Sequence, residues 1–406
     1  MRKKLGIVLA LCFLLCGCTK ESGNEPQVGS PDSSLLQVQN EASECENKYE
    51  TLDIGNAEII IPEADTLYKA YFDIGDYDQD EVEQSYIDNL KKLSNGEEID
   101  TDKIVYHMWR SEEEGPEYVN YNEASENEHK FRESALLYNH KGFSEVLYKS
   151  SYMCEMADYK RILEIKGEED EENIWGYRVL DMGTLEKNYD VLHEDISEVS
   201  YNLCDGPMNL KEAVDYMEQH VKNDYRFVGS KLLDYKVYKV KVMKLKDGIY
   251  YYQFHIQPEY KGIPLNKDYA PQVISGEEDS DEDIERFGVE YVASMVENNK
   301  LNYVWSCAHS YENVEELESY DKVLSLSSAC IAASQQLSTS TKLKVGRIEL
   351  VYDTVFKKKD GVIQGVEIKP IYHFVITNPD VLGYTAIYID CLLYTSDAAD
   401  DTPCVD

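Results

Sequence analysis

The stretch YKVYKVKVMKLKDGIYYYQFHIQ, residues 235–257, predicts an antiparallel β-hairpin. Apolar and polar side chains alternate on both sides of the dipeptide Asp247-Gly248, and Asp-Gly between two alternating runs favours a tight turn. Upstream, Asn209 followed three residues later by Glu212 is typical of a helix N-terminus. Apolar residues then recur at helical spacing, at Leu210, Val214, Met217 and Val221. These patterns together predict a helix–strand–strand unit.

The same order of elements returns near the C-terminus. An apolar stripe from Val323 to Leu337 predicts a second helix. Alternation then predicts strands over Leu343–Phe356, Val366–Thr377 and Thr385–Asp390, with a turn between the first two that begins at Lys357-Lys-Lys-Asp-Gly361. We interpret the two segments as copies of one module.

The predicted fold class is therefore α+β, with antiparallel meander sheets each packed on a helix. Residues 205–270 are predicted as the first αββ unit, and residues 271–390 as an acidic linker, a helix over Ile284–Met295 and a second αββ(β) unit. Residues 53–200 are predicted as a separate α+β domain that precedes them. Its predicted elements are strands over 57–61, 67–72, 104–109, 135–138, 145–150 and 175–180, and a helix over 80–93.

The helix–strand–strand repeat loosely resembles the PepSY-like and cystatin-like modules of Gram-positive envelope proteins. The resemblance covers residues 205–265 and 313–390 and depends on the order of the elements and the position of the turns. It implies a curved antiparallel sheet wrapped around one helix. It also implies a mostly non-catalytic role, such as inhibiting proteases, masking partners or modulating sensor kinases. The resemblance transfers no functional residue, because none is anchored in a motif.

The N-terminus has the pattern of an export signal. Arg2, Lys3 and Lys4 precede an apolar run over 5–15, which is shorter than the ~20 residues that a membrane-spanning helix needs. The following Leu15-Cys16-Gly17-Cys18 resembles the lipobox of bacterial lipoproteins. That resemblance implies that residues 1–17 are a signal peptide and that Cys18 carries the lipid; an ordinary secretory signal is the alternative. Residues 18–52 are predicted as a flexible tether.

The C-terminal residues 391–406 are predicted to be foreign to the protein. Their sequence over Cys391–Asp401, CLLYTSDAADD, resembles the translated read-through of a transposase-type sequencing adapter. We expect the native reading frame to have been cut near Asp390, and we exclude the tail from the fold prediction.

The charge of the chain excludes one class of function. Its 406 residues carry 40 Lys and Arg against 78 Asp and Glu, a formal net charge of −38. Nucleic-acid binding needs a basic surface that displaces counterions, so nucleic acid is not a predicted partner.

The sequence predicts no metal site, no cofactor and no catalytic residue. The five cysteines outside the signal and the tail lack zinc-finger spacing, so they form one or two disulfides or remain free thiols. They are Cys45, Cys154, Cys204, Cys307 and Cys330, the last on the apolar stripe of a helix.

Known catalytic and calcium-binding motifs are absent or incomplete. The chain contains no H-E-x-x-H, G-x-S-x-G or phosphate-binding loop. Ser319 and Lys322 have the spacing of a serine acyl-enzyme motif, but the supporting K-T-G is absent. Asp76, Asp78 and Asp80 match the first ligands of a calcium loop that lacks its glycine and its final glutamate.

Three residues are predicted as binding contacts, namely Tyr251, His255 and His373. Tyr251 is expected to point outward from its strand, and an exposed aromatic ring on a sheet suits a peptide or a glycan. His255 and His373 occupy comparable places in the second strand of the two units.

The sequence predicts a lipoprotein anchored to the cell membrane through Cys18 and facing outside the cytoplasm. Its predicted role is non-catalytic binding or regulation of an envelope protein or peptide. The alternative is an envelope hydrolase or wall-modifying enzyme with dispersed active-site residues. A third hypothesis, a substrate-capturing lipoprotein of a transport system, requires two lobes of parallel strands and helices, and the predicted hairpins disfavour it.

Overall fold

The structure is a computed structural model of the full chain. It describes residues 30–42, 49–73, 79–93, 100–109, 116–129, 134–140, 143–148, 153–158, 183–223, 230–245, 248–268, 289–306, 311, 313–337, 342–359, 362–378 and 386–392. The signal peptide, Cys18, Asp76, Asp78, Cys45, Cys307 and the predicted strand over 175–180 lie outside these residues.

Five α-helices and twenty strands are formed by the described residues. The helices are α1 Leu35–Ala42, α2 Gln79–Leu93, α3 Glu126–His129, α4 Leu210–Val221 and α5 Leu326–Gln336. The first ten strands are β1 Leu52–Asp53, β2 Glu58–Ile60, β3 Leu67–Asp73, β4 Ile104–Trp109, β5 Pro116–Asn120, β6 Ser134–His140, β7 Phe143–Tyr148, β8 Met153–Asp158, β9 Thr184–Asp190 and β10 Ser200–Leu203. The others are β11 Gly206–Asn209, β12 Asp234–Lys244, β13 Tyr250–Tyr260, β14 Ile263–Pro264, β15 Tyr291–Glu297, β16 Lys300–Ser306, β17 Asn313–Tyr320, β18 Leu343–Lys359, β19 Val362–Ile376 and β20 Ala386–Asp390.

Two large sheets carry most of these strands. A seven-stranded sheet has the order β1-β18-β19-β3-β17, with β2 also paired to β18 and β20 to β19. An eleven-stranded sheet has the order β5-β4-β6-β7-β8-β16-β15-β13-β12-β9, with β14 paired to β13. Pairing is antiparallel apart from the short β1 and β2, which run parallel to β18. The chain is therefore of the α+β class and is dominated by antiparallel sheet.

One large core includes buried residues of both sheets and of α4 and α5. It includes Val240 and Phe254 of one sheet and Leu350 and Phe374 of the other, all fully buried. Cys330 of α5 is also fully buried in it, as its place on the apolar stripe predicted. Every buried methylene in such a core stabilises the fold by ~0.8 kcal/mol.

The segment after β14 joins the two sheets. Leu265 forms an isolated bridge with Tyr352 of β18, and the backbone N–H of Asn266 donates to the Tyr352 carbonyl at 2.8 Å. The chain thus passes directly from the edge of β13 to the neighbouring sheet, where residues 266–268 lie beside β18.

Both predicted hairpins are confirmed. Strands β12 and β13 pair antiparallel around the turn at Gly248, whose positive φ of 75° suits glycine. Strands β18 and β19 pair in the same way, and β20 is the predicted third strand. The Asn209 side chain accepts from the Glu212 backbone N–H at 3.1 Å, which confirms the predicted cap of α4.

The predicted helix over Ile284–Met295 is wrong where the structure describes it, because Tyr291–Glu297 is strand β15. This strand lies between β13 and β16, and residues 291–296 are buried on both faces. A continuous apolar run of this length suits a strand buried on both sides, and apolar spacing alone does not separate it from a buried helix.

Part of the predicted flexible tether is folded. Within residues 18–52, helix α1 begins at Leu35, and Leu35 and Val38 are buried against the large core. The Glu41 carboxylate accepts from the backbone N–H of Leu326 at 3.0 Å, at the first turn of α5. The tether prediction is therefore wrong for residues 35–42.

The strands of the predicted N-terminal domain, 53–200, pair beyond its bounds. Strand β3 belongs to the seven-stranded sheet, and β8 pairs with β16, where Tyr303 faces Ala157. A smaller core nevertheless forms inside this region, where Tyr86 and Leu90 of α2 pack on β4, β6 and β7.

The first residue of the predicted foreign tail is part of the folded structure. Cys391, the first residue of the predicted foreign tail, is buried, and its carbonyl accepts from the Leu324 N–H at 2.9 Å. The origin of the tail stays a prediction.

No helix in the described ranges combines the length and the apolar character that crossing a membrane requires.

Candidate functional site

His373 and its carboxylate partner lie on neighbouring strands of the seven-stranded sheet. The strand register places Glu349 of β18, His373 of β19 and Tyr388 of β20 in one row across the sheet. His373 is 1% exposed, and its Nδ1 lies 2.8 Å from Oε1 of Glu349. The Tyr388 ring stacks on the imidazole with centroids 4.9 Å apart. The ring of His373 is thus held from two sides.

The linking segment at 266–268 brings further charges to this row. The Nη2 of Arg347 lies 3.0 Å from Oδ2 of Asp268 and 3.1 Å from Oε1 of Glu349. The Nζ of Lys267 lies 3.6 Å from Oε1 of Glu349 and 3.7 Å from Oδ2 of Asp268. Burial raises the pKa of Glu349, but the hydrogen bond from His373 and the charges of Lys267 and Arg347 outweigh it and lower that pKa to about 2.

Asp268, Glu349 and His373 offer three donor atoms within 4.8 Å of one another, which is the spacing of a metal centre. The two carboxylates are, however, already neutralised by Arg347 and Lys267. A divalent cation would have to displace at least one of these buried or half-buried cations and leave it unpaired, which is costly. The cluster is therefore an ion-pair network that joins the linking segment to β18 and β19.

His255 forms a second buried pair, in the eleven-stranded sheet. Its Nδ1 lies 2.6 Å from Oε1 of Glu290, and the Tyr238 hydroxyl donates to the same oxygen at 2.5 Å. Burial lowers the pKa of His255, and the Glu290 carboxylate only partly offsets this. Burial raises the pKa of Glu290, but its hydrogen bonds with His255 and Tyr238 bring the net value below its ordinary range.

The two histidine pairs are neighbours. The Nζ of Lys267, which contacts Glu349, lies 5.2 Å from the centroid of the Tyr238 ring, within the range of a cation–π contact. Tyr238 in turn binds Glu290. His255 and His373, predicted separately as binding contacts, thus belong to two adjoining polar networks at the junction of the sheets.

Ser294, a serine that could in principle act as a nucleophile, lies near His255 in the sheet. It lies on β15 opposite Gln253, on the same face of the sheet as His255. The Oγ of Ser294 and the Nε2 of His255 are buried, and neither has a hydrogen-bond partner among the described residues. A Ser–His–Glu triad requires a hydrogen bond between serine and histidine and access for a substrate. Ser294 is only 3% exposed, so this arrangement is not an accessible nucleophile.

The prediction that Tyr251 is exposed is wrong. Its side chain is 1% exposed and packs with Met243, Val296 and Tyr303 in a second small core on the outer face of the sheet. Alternation correctly places Tyr251 on the face opposite Tyr252, but that face is also covered at this end of the sheet. Tyr251 is therefore a core residue and does not present a ring to a partner.

A surface cavity of about 450 Å³ lies beside α4. It is lined by Asp215, Glu218, Gln219, Lys222, Asp234, Tyr235, Lys236 and Glu259. Lys222 is ion-paired with Asp234, and the Nζ of Lys236 lies 3.8 Å from Oε2 of Glu218. The lining is thus mostly an ion-paired surface, and it is separate from both histidine networks.

Sequence reasoning missed the carboxylates that hold the histidines. Glu349 carried only a partial signal, because counting back from the pair Lys359 and Val362 places Ile348 opposite His373. A one-residue register shift between Lys357 and Lys358 brings Glu349 there instead. Glu290 and Asp268 carried none, since both reach their partners through contacts between distant parts of the chain.

The comparisons with known proteins give a structural similarity and no family. No family model matches the chain, and no curated protein matches it either. A crystal structure of an uncharacterized protein from Eubacterium rectale ATCC 33656 is similar, at 16% sequence identity with a TM-score of 0.42. The similarity covers 82% of this chain and 86% of that chain.

Proposed function

We propose that the protein is a membrane-anchored extracytoplasmic lipoprotein that binds an envelope protein or peptide without catalysis. The lipobox-like Leu15-Cys16-Gly17-Cys18 supports the anchor. The histidine networks support the absence of catalysis, since their carboxylates are engaged in ion pairs and hydrogen bonds and Ser294 is buried. The observation that carries the binding role is the exposed edge strand β17.

Strand β17 is open on one side within the described part of the chain. It pairs with β3, and residues 315–319 are all exposed. The register slips between Glu316 and Glu318, so Leu317 is the extra residue of a bulge and is 41% exposed. An edge strand offers free backbone donors and acceptors to an extended segment of another chain.

The charges of β17 define the partner that this edge would accept. Lys261 holds Glu316 at 2.5 Å, whereas Glu315 and Glu318 have no ion-pair partner among the described residues. Acidic side chains on an edge repel a second acidic strand, which protects this chain, with its net charge of −38, from pairing with itself. An extended segment rich in Lys and Arg would instead gain favourable contacts. The proposed partner is therefore a basic extended segment of an envelope protein.

The binding proposal is tested with an alternating Lys-Val octapeptide and its Glu-Val counterpart. Fluorescence anisotropy with the processed chain should show salt-sensitive binding of the basic peptide only. The double variant Glu315→Lys, Glu318→Lys should weaken this binding about tenfold or more, because two like charges now face the peptide. Glu186→Lys on β9, another exposed edge strand, is the matched control. Equal affinity in the wild type and the β17 double variant would refute the role of this edge.

The anchor is tested separately by metabolic labelling with a palmitate analogue. The wild type should be labelled and Cys18→Ser should not, while Cys16→Ser should keep its label. A wild type that stays unlabelled, or a Cys18→Ser variant labelled equally, contradicts the proposed anchor.

The proposal includes two related αββ units within the fold. Helix α4 precedes β12 and β13, and α5 precedes β18 and β19. The second strand of each hairpin carries one of the paired histidines, His255 or His373. This recurrence supports the internal repeat and the domain bounds 205–270 and 271–390.

A further inference from the structure

Three metal-binding side chains converge on the surface where the two sheets meet. Glu58 lies on β2 of the seven-stranded sheet, Asp190 is the last residue of β9 in the eleven-stranded sheet, and His193 follows in the next turn. The Nδ1 of His193 lies 3.0 Å from Oδ2 of Asp190 and 3.5 Å from Oε1 of Glu58. All three side chains are nearly half exposed.

The turn after β9 fixes two of these ligands. The Leu192 N–H donates to Oδ1 of Asp190 at 3.1 Å, which leaves Oδ2 facing His193. The Glu194 N–H donates to the Asp190 carbonyl at 2.9 Å, and the Glu194 carboxylate accepts from the Asp190 N–H at 2.9 Å. Residues 190–194 thus form a closed turn that presents Asp190 and His193 on one side.

The spacing of the donor atoms fits a metal ion. Zinc binds nitrogen and oxygen at roughly 2.0–2.2 Å, so neighbouring ligand atoms in a tetrahedral or octahedral site lie about 3.0–3.5 Å apart. The two measured separations from Nδ1 are 3.0 and 3.5 Å, and all three donor atoms lie within 4.8 Å of one another.

The charges distinguish this surface site from the buried cluster at His373. There, Arg347 and Lys267 already neutralise both carboxylates. At the surface, no Lys or Arg among the described residues forms an ion pair with Glu58 or Asp190, and the nearby Lys187 pairs with Glu194 at 3.7 Å. Two carboxylates therefore remain to attract a cation.

We infer that Glu58, Asp190 and His193 form a surface site for a zinc-class divalent ion, with water completing the coordination. The imidazole ligand favours zinc over magnesium and calcium, which prefer oxygen ligands alone. Because Glu58 belongs to one sheet and Asp190 to the other, bound zinc would link β2 to the end of β9. The site is independent of the proposed peptide-binding edge, which lies on β17.

Calorimetric titration of the processed full chain with zinc chloride tests the site. The wild type should bind one ion at this site, and its unfolding temperature should rise with zinc concentration. His193→Ala should weaken binding at least tenfold, and Glu58→Gln should weaken it while circular dichroism stays unchanged. His220→Ala is the matched control, since His220 is an exposed histidine on α4 that bonds Tyr216.

Proton competition gives a second measurement. Zinc binds the neutral imidazole and ionised carboxylates, so zinc affinity should fall as the pH is lowered from 7.5 to 5.5. Equal zinc binding by the wild type and His193→Ala, or a preference for calcium over zinc, would overturn the inference.

Discussion

Glu349 and His373 face each other across two antiparallel strands, and the histidine Nδ1 lies 2.8 Å from the carboxylate oxygen. Since the pKa of Glu349 is lowered to about 2, the carboxylate is ionised and accepts, so the Nδ1–H of His373 donates. A comparable pair occurs at His255, and a third near the N-terminus, where Nδ1 of His129 lies 3.3 Å from Oε2 of Glu83. Recurrence in three parts of the chain favours a structural role for these pairs.

Glu349→Gln should destabilise the protein by about 3–5 kcal/mol at pH 7, because it leaves Arg347 and Lys267 without the buried charge that they share. Urea unfolding measures this. Ionised Glu349 stabilises the wild type fully above its unfolded pKa of 4.5, and this contribution is lost as the pH falls toward 2. The difference in unfolding free energy between the wild type and Glu349→Gln should therefore shrink as the pH falls from 4.5 toward 2. A difference that stays constant from pH 5 to pH 2.5 would contradict the assigned pKa.

The lowered pKa of His255 predicts a loss of stability in mild acid. Its unfolded value is 6.5, so below that pH the unfolded chain binds a proton that the folded chain excludes. Protonation in the fold would place a buried charge near Lys239 and Lys241, with Glu290 as the opposing carboxylate. His255→Gln should remove this part of the pH dependence, by about 1.4 kcal/mol for each unit by which the pKa is lowered. Urea midpoints at pH 7.5 and 5.5 test this prediction, with substitution of the exposed His220 by Gln as the control. If the midpoint changes equally between the two pH values in His255→Gln and His220→Gln, the prediction is contradicted.

The hairpins were predictable because their signals are local. Asp247-Gly248 and the alternation around it specify a turn and two strands within about twenty residues. Strand β15 was predicted as a helix because Tyr291 and Met295 are four residues apart, a spacing that also occurs on one face of a strand. Only tertiary packing resolves the ambiguity: the large core covers the face of Tyr291 and Met295, and the second small core covers Val296 on the opposite face.

The candidate sites were only partly predictable. His255 and His373 were singled out from matching places in two hairpins, and both lie on the predicted strands. The carboxylate partners of these histidines lie on other strands or in other parts of the chain. The same holds for Glu58 and His193, which are 135 residues apart, so local patterns do not predict these contacts. Tyr251 shows another limit of prediction from the sequence. Alternation predicts the face of the sheet on which a side chain lies, but it does not predict whether other residues cover that face.

Leu35→Ala and Leu36→Ala test whether α1 belongs to the fold. Leu35 is 4% exposed and packs in the large core, whereas its neighbour Leu36 is 67% exposed. Leu35→Ala should therefore cost about 2–5 kcal/mol, and Leu36→Ala less than about 0.5 kcal/mol. Denaturant unfolding of the two single variants measures the difference. Equal, negligible effects would mean that α1 does not pack on the core in solution.

Ser294 and Ser319 should both fail to react with a fluorophosphonate probe in the native protein. Ser294 carries the residue pattern of a triad with His255 and Glu290, but it is 3% exposed, and its Oγ has no hydrogen-bond partner among the described residues. Ser319 is exposed, yet the sequence around it lacks the K-T-G that a serine acyl-enzyme motif requires. Mass spectrometry of the intact processed chain after incubation measures any adduct, and Ser294→Ala and Ser319→Ala locate it. An adduct that disappears in Ser294→Ala and also in His255→Gln would establish an activated nucleophile. The non-catalytic proposal would then give way to the envelope hydrolase, because only a base acting on Ser294 makes its labelling depend on His255.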